Sequence, residues 1–292
     1  MTQNDFFIGV DIGGTSTRVG LFQTLDTTDF TLLARFPTQP LYEQQMRHIV
    51  EAVRGVSGSH EHAQSSPTSV GVSVAGRIAK DGRSVILAPN LLDYIDRPFA
   101  QDLEQVLGCP ARLAHDPVCG LLAEKRFGCL RDDDRCAYLT VSTGTGGAFQ
   151  LCKAGNTLTI SIDIGHQILD GNTRPCLCGQ VGCLETFTGG RQLELRYGHP
   201  ITQITSPTFW ETFSDKLALG LLNLAILTKV EVVAISGAIA LNNPFLLPLL
   251  QQKVDALFKW GRLKLKPATL GENAPLVGAA FLPAIPEDTI VH

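Results

Sequence analysis

Two stretches of this chain follow one design, and that repetition constrains the fold more than any other feature. "FFIGVDIGGTSTRVGLFQ" runs from an apolar, β-rich segment through a Gly-Gly-Thr turn into a second alternating segment; "CAYLTVSTGTGGAFQLCK" repeats the plan around a Ser-Thr-Gly-Thr turn. Such runs on either side of a small-residue turn predict strand–turn–strand hairpins. Val10-Asp11-Ile12-Gly13-Gly14-Thr15 lies over Val141-Ser142-Thr143-Gly144-Thr145-Gly146 element by element, though not residue by residue. Helical and strand-like segments follow each opening. The sequence therefore predicts an α/β protein of two similar domains facing across a cleft, with ligands near the strand ends. The boundary is placed near Arg112 to His115, giving an N-terminal domain over 1–113 and a C-terminal domain over 114–292, with the last helix free to pack back on the first domain.

The remaining segments fit this plan. "TLLARFPT" reads as a third strand, and Met46, Ile49, Val50 and Val53 fall at helical spacing in "YEQQMRHIVEAVRGV". "SGSHEHAQSSPTS" reads as a polar loop, and its His60 and His62 are given no role. "SVGVSVAGRIA" is a strand run, and "PFAQDLEQVLG" a helix capped by Gly108. The apolar reach "LALGLLNLAILTKVEVVAIS" is broken by Lys229 and Glu231; it reads as a packed helix followed by a buried strand, not as a membrane span. Between Glu185 and Trp210 the reading is of little more than a loop. A content of 44% hydrophobic and 18% charged residues excludes a disordered chain, and a net charge of −4 offers no field to nucleic acid or an anionic membrane. No secretory leader is legible before "FFIGVDIGG", so a cytoplasmic location is expected. Of the eight cysteines, Cys109, Cys119, Cys129, Cys136 and Cys152 are scattered and read as reduced thiols.

Both Gly/Thr turns suit phosphate, because backbone N–H groups can approach an anion where no Cβ intervenes. The first adds Asp11, a carboxylate suited to Mg²⁺ or its waters, and the Thr15 hydroxyl; the second supplies Thr143, Gly144, Thr145 and Gly146. Neither is a P-loop or opens a Rossmann unit, and either alone reads equally as a simple turn. "VVAISGAIA" runs a strand into Ser236-Gly237-Ala238, which fits both a nucleotide contact and an ordinary strand–helix junction. In "ARLAHDPVCGLLAEKRFG" a short strand ends at His115-Asp116 and Pro117 opens a helix. Asp116 there suits a helix cap or a general base for an attacking alcohol, and the two roles are compatible. In "DIGHQILDGNTRPCLCGQVGCLE", His166, Cys176, Cys178 and Cys183 form one imidazole and three thiolates, a closed tetrahedral set of the kind that holds structural zinc.

Together these residues resemble the ROK family (repressors, open reading frames, kinases) of the actin-like ATPase, ribonuclease H-like superfamily. "VDIGGT" resembles its first phosphate motif, "GVSVAG" its G-x-x-x-P-G segment with Ala75 for proline, and "APNL" its S-P-N-L. "HDPVCGLLAE" resembles its N-D-A-N-A-A-A-x-G-E helix and "YLTVSTGTGG" its second phosphate motif; "GH…CLCGQVGCLE" matches in spacing and in every ligand. The resemblance implies Asp116 as catalytic base and places Gly76, Asn90, His115, Asp163, His166 and Glu185 at the sugar, with His166 bridging sugar and zinc. It implies that Asp11, Gly13, Gly14, Thr15, Thr143, Gly144, Thr145, Gly146 and Gly237 serve the nucleotide. The chain departs from the pattern at His115, where the family has Asn, at Asp163 in place of Glu, and at Ser236-Gly237-Ala238 in place of three glycines.

The activity implied is ATP- and Mg²⁺-dependent phosphorylation of a hexose hydroxyl, first the 6-OH of glucose, with zinc as a structural ion. Fructose, N-acetylmannosamine and N-acetylglucosamine are the alternative acceptors. A sugar-binding regulator with impaired catalysis is the rival from another class, although the family's repressors carry an N-terminal helix-turn-helix and here a strand is expected by about Phe6. The resemblance also implies a tendency to homodimers.

Overall fold

The computed structural model describes residues 5–57 and 66–292, so His60 and His62 lie outside the described residues. The chain forms two compact units, Met1–Ala123 with Asn273–His292, and Glu124–Glu272. The division thus falls inside a helix, after Ala123, where the sequence reading set it at 113/114.

The first unit opens with β1 (Phe7–Ile12), β2 (Ser16–Phe22) and β3 (Thr31–Pro37), followed by α1 (Tyr42–Ser57) and β4 (Ser69–Val74). A small ribbon of β5 (Arg77–Ile78) and β6 (Val85–Leu87) precedes α2 (Phe99–Leu107), β7 (Ala111–His115) and the start of α3 (Asp116–Phe127). All six residues of β1 are buried, because the strand is central and both of its faces are covered. Met46, Ile49 and Val53 enter the same core from α1, as their spacing predicts. Helix α2 ends at Gly108, which takes the left-handed conformation (φ 70°) of a helix terminator.

The second unit contains β8 (Arg135–Val141), β9 (Thr145–Lys153) and β10 (Asn156–Ile162), then α4 (Glu185–Thr188) and α5 (Gly190–Tyr197). It continues through α6 (Pro207–Thr228), β11 (Val232–Ser236), α7 (Ala238–Asn242), α8 (Leu246–Leu257) and β12 (Lys264–Pro267). The chain then returns to the first unit as α9 (Ala274–Phe281), which lies on β1 and β4 and buries Leu276, Val277 and Phe281.

The duplication seen in the sequence extends to topology. Strands run β3-β2-β1-β4-β7 in the first unit and β10-β9-β8-β11-β12 in the second. In each, the first three strands are antiparallel and the last two join in parallel. Each opening hairpin therefore holds the strand at which pairing changes from antiparallel to parallel.

One expectation is corrected. The segment from Glu185 to Trp210 is not merely a loop, since it carries α4, the eight-residue α5 closed by Gly198 (φ 72°), and a turn at Ile201–Gln203. Helix α5 buries Gly190, Gln192 and Leu193, so a single large apolar residue marks its inner face and no periodicity reaches the sequence. Helix α6 is framed as its sequence suggests. Ser206 accepts from the Phe209 amide at its start, Pro207 occupies the first turn, and Lys229 ends it in the left-handed region (φ 62°). Among the described residues, no helix is long and apolar enough to cross a membrane.

Candidate active site and metal centre

Strand register builds the first part of the site. Asp11 on β1 sits opposite Arg18 on β2 and opposite Ser73 on β4, which puts the three side chains in one row. Arg18 Nη2 donates to Asp11 Oδ2 at 2.7 Å, and Ser73 Oγ donates to Oδ1 at 3.0 Å. Arg18 Nη1 also reaches Asn273 Oδ1 at 3.0 Å. Sequence reasoning missed Arg18 and Ser73; only the strand pairing reveals them. Beyond Asp11 the turn is held by Gly13 N–H to Ser16 O (3.0 Å), by Thr38 Oγ1 to Gly13 O (2.8 Å) and by Thr38 N–H to Thr15 O (3.1 Å). Among the described residues the amides of Gly14 and Thr15 take no partner, which leaves them as donors for an anion.

At the end of β7, in the same unit, His115 is followed directly by Asp116 at the head of α3. His115 Nε2 lies 3.2 Å from Asp116 Oδ1, with 13% and 25% of the two side chains exposed. A quarter of the Asp116 surface is thus open, yet burial of the rest, reinforced by the Asp11 charge, pushes its carboxyl up to about 7. A bond from its own backbone N–H opposes that rise. Gly76 follows β4, where an added Cβ would stand 2.9 Å from Leu87 O; Asn90 is exposed in the turn after β6.

The second Gly/Thr turn is braced from α4 and α5. Glu185, the first residue of α4, accepts the Thr145 amide on Oε2 at 2.9 Å. Gly144 permits this approach, since a Cβ there would meet that oxygen at 2.8 Å. The amides opening α5 donate back to the turn, Gly190 to Ser142 O (2.8 Å) and Arg191 to Thr143 O (2.9 Å). Thr145 Oγ1 pairs with Thr188 Oγ1 at 2.8 Å, and Gly146 sits in the ladder of β9 opposite Thr140. The amide and hydroxyl of Thr145 and the backbone of Gly146 are thus engaged within the unit, whereas the amides of Thr143 and Gly144 take no partner among the described residues. Gly237 ends β11 with φ 92°, a conformation that L side chains rarely adopt, and its Cα is packed against the Val141 backbone. Nearby in this unit, Trp210, Asn243 and Phe245 line an open pocket to which sequence reasoning assigned nothing.

Asp163 precedes the short turn Ile164–His166, and its carbonyl accepts the His166 amide at 2.8 Å. His166 then joins Cys176, Cys178 and Cys183 in a group whose donor atoms all lie within 4.8 Å of one another. The hairpin that carries the thiols is closed by Cys176 N–H to Gln180 O (2.8 Å) and Gly182 N–H to Arg174 O (2.9 Å). Leu184 N–H to Gln167 O (2.9 Å) ties the end of the His166 turn to the head of α4. Cys178 Sγ stands 3.7 Å from Cys183 Sγ, and Cys176 Sγ 3.8 Å from His166 Nδ1. Four ligands at about 2.3 Å around a tetrahedral ion would be separated by about 3.8 Å, which is the spacing of these two pairs. Burial, together with the two neighbouring thiols, raises Cys183 well above an ordinary thiol. Gln192 of α5 donates Nε2–H to Cys176 Sγ at 3.2 Å, an outer contact that the sequence did not signal. All eight cysteines are free thiols; Cys109, Cys119 and Cys136 are buried, and Cys129 and Cys152 partly so.

A glucokinase of Thermotoga maritima is 31% identical to this chain over 202 residues, covering 66% of this chain and 60% of its own length. A xylose repressor of Bacillus subtilis is 25% identical over 233 residues, 73% of this chain and 60% of its own. The chain thus spans about 60% of the length of these relatives. The structure of a ROK family glucokinase from Streptomyces griseus, in complex with glucose and AMPPNP, matches with a TM-score of 0.78 at 24% identity, covering 95% of this chain and 98% of that one. The fold is accordingly that of the actin-like ATPases. The ROK family model matches residues 7–284, through both units, and the chain belongs to the ROK family.

Proposed function

We propose that this protein is an ATP-dependent sugar kinase that phosphorylates a hexose hydroxyl, with the 6-OH of glucose as the first candidate. The observation that carries the reading is Asp116. It is a carboxylate at a strand end and helix start, a quarter exposed, and desolvated until it titrates near neutrality, as a general base should. Asp116 takes the proton of the sugar hydroxyl as the oxygen bonds to the γ-phosphorus of ATP. The bond from that phosphorus to the β–γ bridging oxygen breaks, and ADP leaves with the electron pair. The unpartnered amides of Gly14, Thr15, Thr143 and Gly144 are assigned to phosphate oxygens, and Gly237 to the nucleoside. Gly76, Asn90, Asp163, His166 and Glu185 are assigned to the sugar.

Two ions belong to this reading. Each oxygen of Asp11 accepts one hydrogen bond and retains a lone pair, so the carboxylate can still hold Mg²⁺ through a water. Mg²⁺ bound with ATP would neutralise phosphate charge. The closed set His166, Cys176, Cys178 and Cys183 fits zinc as a brace, which fixes His166 and, through Leu184, the head of α4 that carries Glu185.

The kinship with a repressor supports a second reading, a sugar-binding regulator without turnover. Sugar-dependent ADP release over glucose, fructose, N-acetylglucosamine and N-acetylmannosamine separates the two. The kinase reading requires release with at least one sugar. Sugar binding by calorimetry with no release on any of them sinks it.

A further inference from the structure

The chain places histidine immediately before the proposed base, and the fold brings the two side chains together. On β7 His115 is largely buried, and the turn into α3 sets its Nε2 3.2 Å from Asp116 Oδ1. We propose that His115 is a positioning residue for Asp116, fixing Oδ1 through Nε2 so that Oδ2 is the oxygen that takes the hydroxyl proton. The inference rests on Asp116 being the base.

The surroundings give this contact its purpose. The Asp11 carboxylate from β1 acts against the charge on Asp116, and Arg18 from β2 and Ser73 from β4 are already engaged on Asp11. Cys119, one turn along α3, is buried beside both carboxylates and held in its neutral form by burial, with Arg112 of β7 opposing. Arg112 itself donates to Ile285 O at 2.6 Å. Among these groups His115 is the one that stands at ion-pair distance from the Asp116 carboxylate with a nitrogen able to carry a proton. A proton on Nε2, in the neutral or the charged ring, favours the carboxylate form and holds one of its two oxygens. The hydroxyl proton then goes to the other oxygen, and His115 itself gains and loses nothing in the transfer.

The test is the pH dependence of kcat and kcat/KM for wild type, His115→Ala, His115→Gln and Asp116→Asn, with ATP, Mg²⁺ and the sugar that wild type turns over. Removing the donor raises the proton affinity of Asp116, so His115→Ala moves the acid limb of kcat/KM upward by about one pH unit and lowers kcat about tenfold or more. The sugar KM stays within about threefold. His115→Gln, whose amide can donate, recovers part of both effects. An unmoved acid limb in a folded His115→Ala protein, or a rise in sugar KM alone, overturns the proposal. Asp116→Asn with near wild-type kcat would instead remove the base reading on which the inference stands. The titration of the Asp116 carboxyl carbon, followed by ¹³C NMR in wild type and His115→Ala, reads the same coupling without turnover; identical titrations in the two proteins also overturn it.

Discussion

Asp116 is an awkward place for a negative charge, with burial and the Asp11 carboxylate both acting against its ionised form. The sign of the effect on stability follows. The folded protein holds the proton up to about pH 7, whereas an unfolded aspartate releases it near 3.8. Folding is therefore progressively penalised as pH rises through that window, and the penalty is constant above it. Asp116→Asn removes the penalty, so at pH 8 the variant should melt higher than wild type by on the order of 2 kcal/mol, the open quarter of the side chain moderating the gain, while at pH 3.5 the two should coincide. Calorimetric melting at the two pH values checks this, and a lower midpoint for the variant at both would contradict it. At this scale the sequence was partly legible. Asp11 and Asp116 stand out because each ends a strand run beside a turn or a helix signal. Arg18 and Ser73 do not, because they meet Asp11 across 7 and 62 residues through sheet register alone.

Among the elements, the thiol hairpin and α3 carry the clearest consequences. The hairpin brings its donors together through backbone bonds and the Asn172 side chain, which donates to Cys183 O at 3.1 Å, and leaves three thiols within 4.8 Å of one another and of His166. The purified protein should hold about one equivalent of zinc, and Cys183→Ser should lose it and melt several degrees lower. Metal analysis and thermal melting test this, and a zinc-free, fully stable wild type would refute it. Stripping the zinc should weaken sugar binding before nucleotide binding, because on the proposed reading the ion would fix His166 and the head of α4. Calorimetry with each ligand decides the order, and earlier loss of nucleotide would count against the brace. Helix α3 is anchored by Glu124, which is fully buried and accepts from Cys129 N–H (2.9 Å), Thr269 Oγ1 (2.8 Å) and Leu270 N–H (2.7 Å). Glu124→Ala orphans all three donors and should lower stability by about 3 kcal/mol in denaturant titration; a change under about 0.5 kcal/mol would show those donors re-pairing. Helix α5 was illegible because its hold on the molecule is mostly polar. It is fastened to the second turn by backbone amides and to Cys176 by Gln192, neither of which leaves an apolar pattern.

For the molecule as a whole, the repeated hairpin was the informative signal, because a strand–turn–strand unit that recurs implies a sheet that recurs. The strands β3-β2-β1-β4-β7 and β10-β9-β8-β11-β12 follow the same order with the same change from antiparallel to parallel pairing. The division of the chain was harder to read. It falls within α3, a continuous helix with no break in composition, and α9 returns to the first sheet from the far end of the sequence. Each unit holds one turn with unpartnered amides, the first also holds the candidate base, and the second holds the thiol cluster and Glu185. The central claim is that these groups serve phosphoryl transfer to a sugar, with Asp116 taking the proton. The most direct measurement is steady-state ADP release with glucose at pH 8, wild type against Asp116→Asn, with circular dichroism to establish that the variant is folded. The account predicts sugar-dependent release by wild type and a fall in kcat of about a thousandfold or more in the variant, its glucose affinity little changed. A folded Asp116→Asn protein that turns over glucose at a rate near wild type would contradict it.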